Sequence, residues 1–240
     1  MGPELIQHPL SRADGSTAVS SGLYTVIAGV NGPVEVQRRD ELPEEAAVEV
    51  NIRPSSGIGG PRERWLESVV QSVLKNVILV NMHPRTLIQI TLQVTKQPSN
   101  KLLRTTGDIS VIPTLLNTAF TALVDGGIPL ATTMSSTLAI VNNAGSVMVE
   151  PQEKDLESYS SIHAMAFDSH GQELLDQSSG IFSMDTWDEV ADAARRACVA
   201  AIASTGEDEA MADGDASGEP WLRKALQSQA VAANSWRDAT

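Results

Sequence analysis

The chain has 240 residues, a formal net charge of −13, 42% hydrophobic residues, 4% aromatic residues and a single cysteine. One cysteine excludes an internal disulfide and a cysteine-based zinc site. The charge excludes a broadly basic surface for naked nucleic acid, and no apolar run reaches the roughly 20 residues that cross a bilayer. The first dozen residues, MGPELIQHPLSR, lack the basic flank and apolar core of a secretory signal, so no membrane association and a reducing compartment are expected.

Residues 10–55 read as strands and tight turns. Asp14-Gly15 is a turn dipeptide, and Leu23–Ala28 is a β-rich run closed by Gly29 and Asn31-Gly32-Pro33. Residues 34–39 and 47–52 each alternate apolar and polar, the mark of a half-buried strand. After the glycine-rich loop 54–61, the spacing of Trp65, Leu66, Val69, Val70, Val73, Leu74 and Val77 predicts a helix over 62–80. Leu87–Val94 is the strongest strand signal in the chain. A buried helix is predicted over 109–124, with Gly126-Gly127 able to take a left-handed cap.

The second half repeats this order. Residues 134–141 and 146–150 predict a hairpin around Asn142–Gly145, and 162–168 with 173–177 a second around Ser169–Gly171. An amphipathic helix is predicted over 186–204, capped by Asp185. Residues 205–219 hold six acids and no base, supply nearly half of the net charge, and are expected to be disordered. Residues 220–240 are expected to form a short helix whose Trp221, Leu222, Leu226 and Trp236 dock on this domain or on a neighbour. The expected fold class is α+β, a two-layer arrangement of two similar halves (about 8–130 and 131–204) with helices on mixed sheets.

Seven segments then stand out in order: LSRADGS, VIAGVNGPVEV, VEVNIRPSSGIGG, ERWLESVVQSVL, HPRTLIQITLQV, LNTAFTALVDGGIPL and SSGIF. Together they resemble the RNase PH family and, within it, the ring subunits of the eukaryotic RNA exosome. The resemblance covers about residues 8–200; the acidic segment and the final helix lie outside it.

The resemblance implies phosphorolytic chemistry: an arginine turn at a helix N-terminus that holds phosphate, two carboxylates six residues apart that hold a divalent metal, and arginines that hold the RNA end. In this chain Ile112 stands where the phosphate-binding arginine belongs, and Pro113 removes a backbone donor beside it. Asp155 matches the first metal-binding acid, but Ser161 stands at the second. One carboxylate is a poor magnesium site, and the favoured reading of Asp155 is a solvated acid in a charged turn. No metal and no cofactor are therefore expected. Arg85 matches an RNA-end arginine, or is a structural arginine tying the strand start to a neighbouring loop. The adjacent Arg38 and Arg39 either touch RNA or form a solvated strand end.

Other chemistries find no support. His8, His83, His163 and His170 have no zinc spacing, GIGGPR is not a Walker loop, and no GxSxG elbow is present. The expectation is a non-catalytic subunit of the exosome core ring. It would join other RNase PH-like subunits in a hexamer, beneath S1/KH cap subunits and with an associated 3′–5′ nuclease, and guide RNA through the channel in nucleus, nucleolus and cytoplasm. The alternatives are an active phosphate-dependent 3′–5′ exoribonuclease, with a partner supplying the missing arginine, and an unrelated binding module on the same architecture.

Overall fold

A computed structural model describes residues 3–39, 41–98, 108–202 and 220–234. The acidic segment 205–219 and Trp236 lie outside the described residues. Among the described residues nine strands form two sheets. The first holds β1 (Glu4–Gln7), β2 (Gly15–Ser20), β3 (Thr25–Glu35), β4 (Ala47–Arg53) and β5 (Thr86–Lys96) in the order β1-β2-β3-β5-β4. The second holds β6 (Met134–Asn142), β7 (Val147–Val149), β8 (Tyr159–Asp168) and β9 (Glu173–Gly180) in the order β7-β6-β8-β9. Among the described residues four α-helices accompany them: α1 (Pro61–Val77), α2 (Ile112–Asp125), α3 (Met184–Ile202) and α4 (Trp221–Asn234).

Helix α2 is the axis of the molecule. Leu115, Leu116, Ala119, Phe120, Ala122 and Leu123 are wholly buried between the two sheets. Its polar residues Thr114, Asn117, Thr118 and Thr121 are buried too, and each is matched. Thr17 Oγ1 donates to the Thr118 carbonyl at 3.1 Å and meets Thr121 Oγ1 at 2.9 Å. Asn117 donates to the Ser136 carbonyl at 2.8 Å and accepts from the Ser136 N–H at 2.9 Å. Two-sided burial leaves α2 without a polar face, because both of its neighbours are sheets. At its C-terminus Gly127 takes a φ of +65°, the left-handed cap. Gly15 is forced by packing: a Cβ there would lie 2.3 Å from the Gly126 nitrogen.

Helix α1 lays Leu66, Val70, Val73, Leu74 and Val77 on the first sheet. It also seals the outer edge of β4, since Glu67 accepts the Ile52 N–H at 2.8 Å and Gln71 donates to the Val48 carbonyl at 2.6 Å. In the second sheet β6 alternates. Ser136, Leu138 and Ile140 face the α2 side, while Ala139 and Val141 join Met165, Phe167, Val190, Ala194 and Cys198 beneath α3. Burial pushes the Cys198 thiol up to about 12.

Three expectations change. β3 runs through the expected turn at Gly29–Pro33 as one 11-residue strand. The pairing with β5 continues across a bulge between Asn31 and Val34, which absorbs Gly32 and Pro33, so the expected strand over 34–39 ends at Glu35. The cap of α3 is Ser183, whose Oγ accepts the Thr186 N–H at 3.2 Å, and not Asp185. β1 was not foreseen; its four residues carry too little alternation to register. The final helix docks on its own domain: Leu222 is wholly buried, and Gln7 donates to the Ala225 carbonyl at 3.0 Å across the outer side of β1.

Candidate functional site

The start of α2 faces a cleft of about 550 Å³ lined by Ser21, Ser110, Pro113, Thr114, Glu150 and Glu153, among others. Ile112 and Pro113 form the first turn of α2, and both are buried, Ile112 completely. A helix start offers free N–H groups to an anion, and here the first two are lost. The Ile112 N–H donates to the Ile109 carbonyl in the 3-10 turn that leads in, and Pro113 has none. The hydroxyls at this end are also committed. Thr114 Oγ1 bonds Ser21 Oγ at 2.8 Å, and Ser110 Oγ bonds the buried Tyr24 hydroxyl at 2.7 Å. Among the described residues, the charged ones lining the cleft are Glu150 and Glu153, with no Lys, Arg or His, and these two carboxylates set a field that opposes a phosphate.

Asp155 lies two residues beyond the cleft wall, in a 3-10 turn. Its Oδ2 accepts the Gln152 N–H at 2.9 Å, and its own N–H donates to the Gln152 carbonyl at 3.0 Å, so it closes its own turn. Ser161 is wholly buried on β8. Its Oγ bonds His163 Nε2 at 2.9 Å, the two side chains sharing a face as i and i+2 residues of a strand do. Gly180 roofs it so closely that a Cβ there would lie 2.6 Å from the Ser161 Cα. The network continues from His163 Nδ1 to Ser178 Oγ at 2.7 Å, from Ser178 to Asp176 at 2.6 Å, and from Trp187 Nε1 to Asp176 at 3.0 Å. Desolvation lowers the pKa of His163, against the opposing pull of Asp176. A neutral serine–imidazole pair thus stands at the position that the resemblance assigns to a metal-binding carboxylate. Among the described residues no three His, Cys, Asp or Glu side chains converge on a point that fits a cation. The donor set present does not fit the divalent metal that the resemblance implies.

The three arginines sit elsewhere. Glu35 at the end of β3 pairs with Thr86 at the start of β5, which places Arg38, Arg39 and Arg85 at one end of the first sheet. Ser21 and Leu23 of the cleft precede the other end of β3, roughly 30 Å away along an 11-residue strand. Arg85 is held in a left-handed conformation, φ +61°. Its N–H donates to the Leu42 and Glu45 carbonyls, and its guanidinium lies 3.4 Å from Glu41 while 68% exposed. The backbone of Arg85 thus ties the strand start to a neighbouring loop, and its head group remains in solvent. Arg38 and Arg39 occupy the turn after β3 and are exposed.

Sequence reasoning missed the two glutamates of the cleft and the network beyond Ser161. Ser161 and His163 were legible as same-face neighbours on a strand. Ser178, Asp176 and Trp187 were not, since the fold alone brings β9 and α3 to them.

An α+β molecule of two sheets about a buried helix is the architecture that the RNase PH resemblance implies. The model of the 3′ exoribonuclease family, domain 1 (RNase PH) matches residues 5–129, just over half of the chain. The exosome complex component RRP46 of Saccharomyces cerevisiae is 34% identical over 160 residues, 66% of this chain and 70% of that protein. The rrp46 component of Schizosaccharomyces pombe is 38% identical over 121 residues, about half of each chain. The crystal structure of rice Rrp46 superimposes with a TM-score of 0.69 at 25% identity, over 79% of this chain and 86% of that one. An Archaeoglobus fulgidus exosome with RNA bound to its active site shares the fold, with a TM-score of 0.64 at 16% identity over 80% of this chain and 84% of that one. The chain belongs to the RNase PH family.

Proposed function

We propose that this chain is a non-catalytic wall of an exosome core ring, which supports 3′–5′ processing and degradation of RNA by partner nucleases. The observation that carries this reading is the first turn of α2. A phosphorolytic site needs a guanidinium and free N–H groups there. This chain has the buried Ile112, the donorless Pro113 and a cleft bearing two glutamates. Ser161, enclosed with His163, supports the same reading at the metal position. The names of the yeast and rice relatives support the assembly.

In this reading the chain pairs with other RNase PH-like subunits in a six-membered ring, under S1/KH cap subunits and with an associated 3′–5′ nuclease. Arg38, Arg39 and Arg85 form its basic contact to RNA. It works in nucleus, nucleolus and cytoplasm. The test is native mass spectrometry of the tagged full chain purified from its own cells. The expected result is a hetero-oligomer containing several different RNase PH-like chains. A homo-oligomer would overturn the reading.

A further inference from the structure

The sheet edges of this molecule are treated unequally. The outer edge of β4 is closed by Glu67 and Gln71, β1 is four residues long and bonded to α4 through Gln7, and β7 is three residues long. β9 runs for eight residues, and among the described residues no strand pairs with its outer side. An open edge of that length is a template for another chain, and isolated proteins blunt such edges. Immediately after β9 the chain exposes Ile181 (86%), Met184 (69%) and, in part, Phe182, whose ring stands edge-on to His163 at 4.8 Å. Next come the exposed acids Asp185, Asp188 and Glu189, none of which is paired with a base among the described residues. This juxtaposition of open main chain, apolar side chains and unpaired carboxylates repels RNA and anionic lipid. It complements a protein strand that carries cations.

We propose that the outer edge of β9, the Ile181–Met184 turn and the acids of α3 form one seat for a ring neighbour. The occupant is an extended segment of an adjacent RNase PH-like subunit, which presents an apolar side chain beside Lys or Arg residues. Main-chain pairing sets its register, Ile181 and Met184 lose their water, and the acids select a basic partner. The proposal rests on the ring reading above and adds which face is covered and by what.

The test places a photo-crosslinking amino acid at position 181 of the full tagged chain, expressed in its own cells and purified with its assembly. The expected product joins this chain to one RNase PH-like subunit, through a peptide that contains Lys or Arg. In parallel, Ile181→Ser with Met184→Ser weakens association with that subunit by about tenfold or more. Asp185→Asn with Asp188→Asn and Glu189→Gln weakens it and removes its salt dependence, while the free chain stays folded by circular dichroism. If the assembly is intact but position 181 captures nothing, or captures a chain outside the family, this inference fails and the ring reading stands. If the chain purifies with no RNase PH-like partner, both fail.

Discussion

Asn117→Ala tests the central role of α2. β7 pairs only with Ala139–Val141, so Ser136 on β6 meets no β7 residue. Asn117 supplies both the acceptor for the Ser136 N–H and the donor for its carbonyl, at 2.9 and 2.8 Å, and is itself 6% exposed. The substitution orphans two buried backbone groups, each worth about 1–3 kcal/mol. A loss of about 3 kcal/mol follows, which lowers the melting temperature by roughly 6–12 °C for a domain of this size. Ser136→Ala is the control. It removes the hydroxyl bonds to the Pro113 carbonyl and Asn117 Oδ1 but leaves the backbone satisfied, so it costs about 1 kcal/mol. Urea unfolding followed by circular dichroism measures both. An Asn117→Ala protein within about 1 kcal/mol of the parent would refute the claim that this amide bolts the second sheet to the helix.

His163 is held neutral by desolvation, with its pKa lowered from 6.5. The unfolded chain therefore binds the proton first. The stability this group contributes is complete above pH 6.5 and is lost as pH falls from there toward the folded value. His163→Gln removes this slope, and the difference in unfolding midpoint between the two proteins narrows as pH falls below 6.5; parallel pH profiles would show that the imidazole does not titrate in this way. Cys198, with a thiol pKa of about 12, resists iodoacetamide at pH 8 in the folded protein and is alkylated only in denaturant; prompt labelling of the native chain would place it at the surface. The combined change Arg38→Ala, Arg39→Ala and Arg85→Ala leaves the melting temperature within about 2 °C, because the Arg85–Glu41 pair is exposed. It weakens RNA crosslinking to this subunit within the assembly; undiminished crosslinking would leave these arginines as structural or solvated groups.

The strands and helices were legible wherever one face met water, because half-burial writes a period into the sequence. Leu87–Val94 and the 62–80 pattern announced β5 and α1 for that reason. α2 was legible as buried, yet the polar Asn117, Thr118 and Thr121 gave no sign that they join two sheets, since their partners lie on β2 and β6. Gly29–Pro33 carries every mark of a turn, and only the long pairing with β5 makes it a bulge within a strand. At the candidate site the substitutions Ile112 and Ser161 were legible against the family pattern. The surroundings of those two residues were not. The 3-10 turn that consumes the Ile112 N–H, the two glutamates of the cleft and the serine–imidazole pair depend on contacts among distant segments.

The most direct measurement is phosphorolysis itself. A 3′-hydroxyl RNA is incubated with inorganic phosphate and a divalent metal, and nucleoside diphosphates are quantified for the purified chain alone and for the assembly with its tightly bound nucleases inactivated. The account predicts no phosphate-dependent release above background from either. Release of nucleoside diphosphates by the isolated chain, abolished by a further change at Asp155, would contradict it and make this subunit an enzyme.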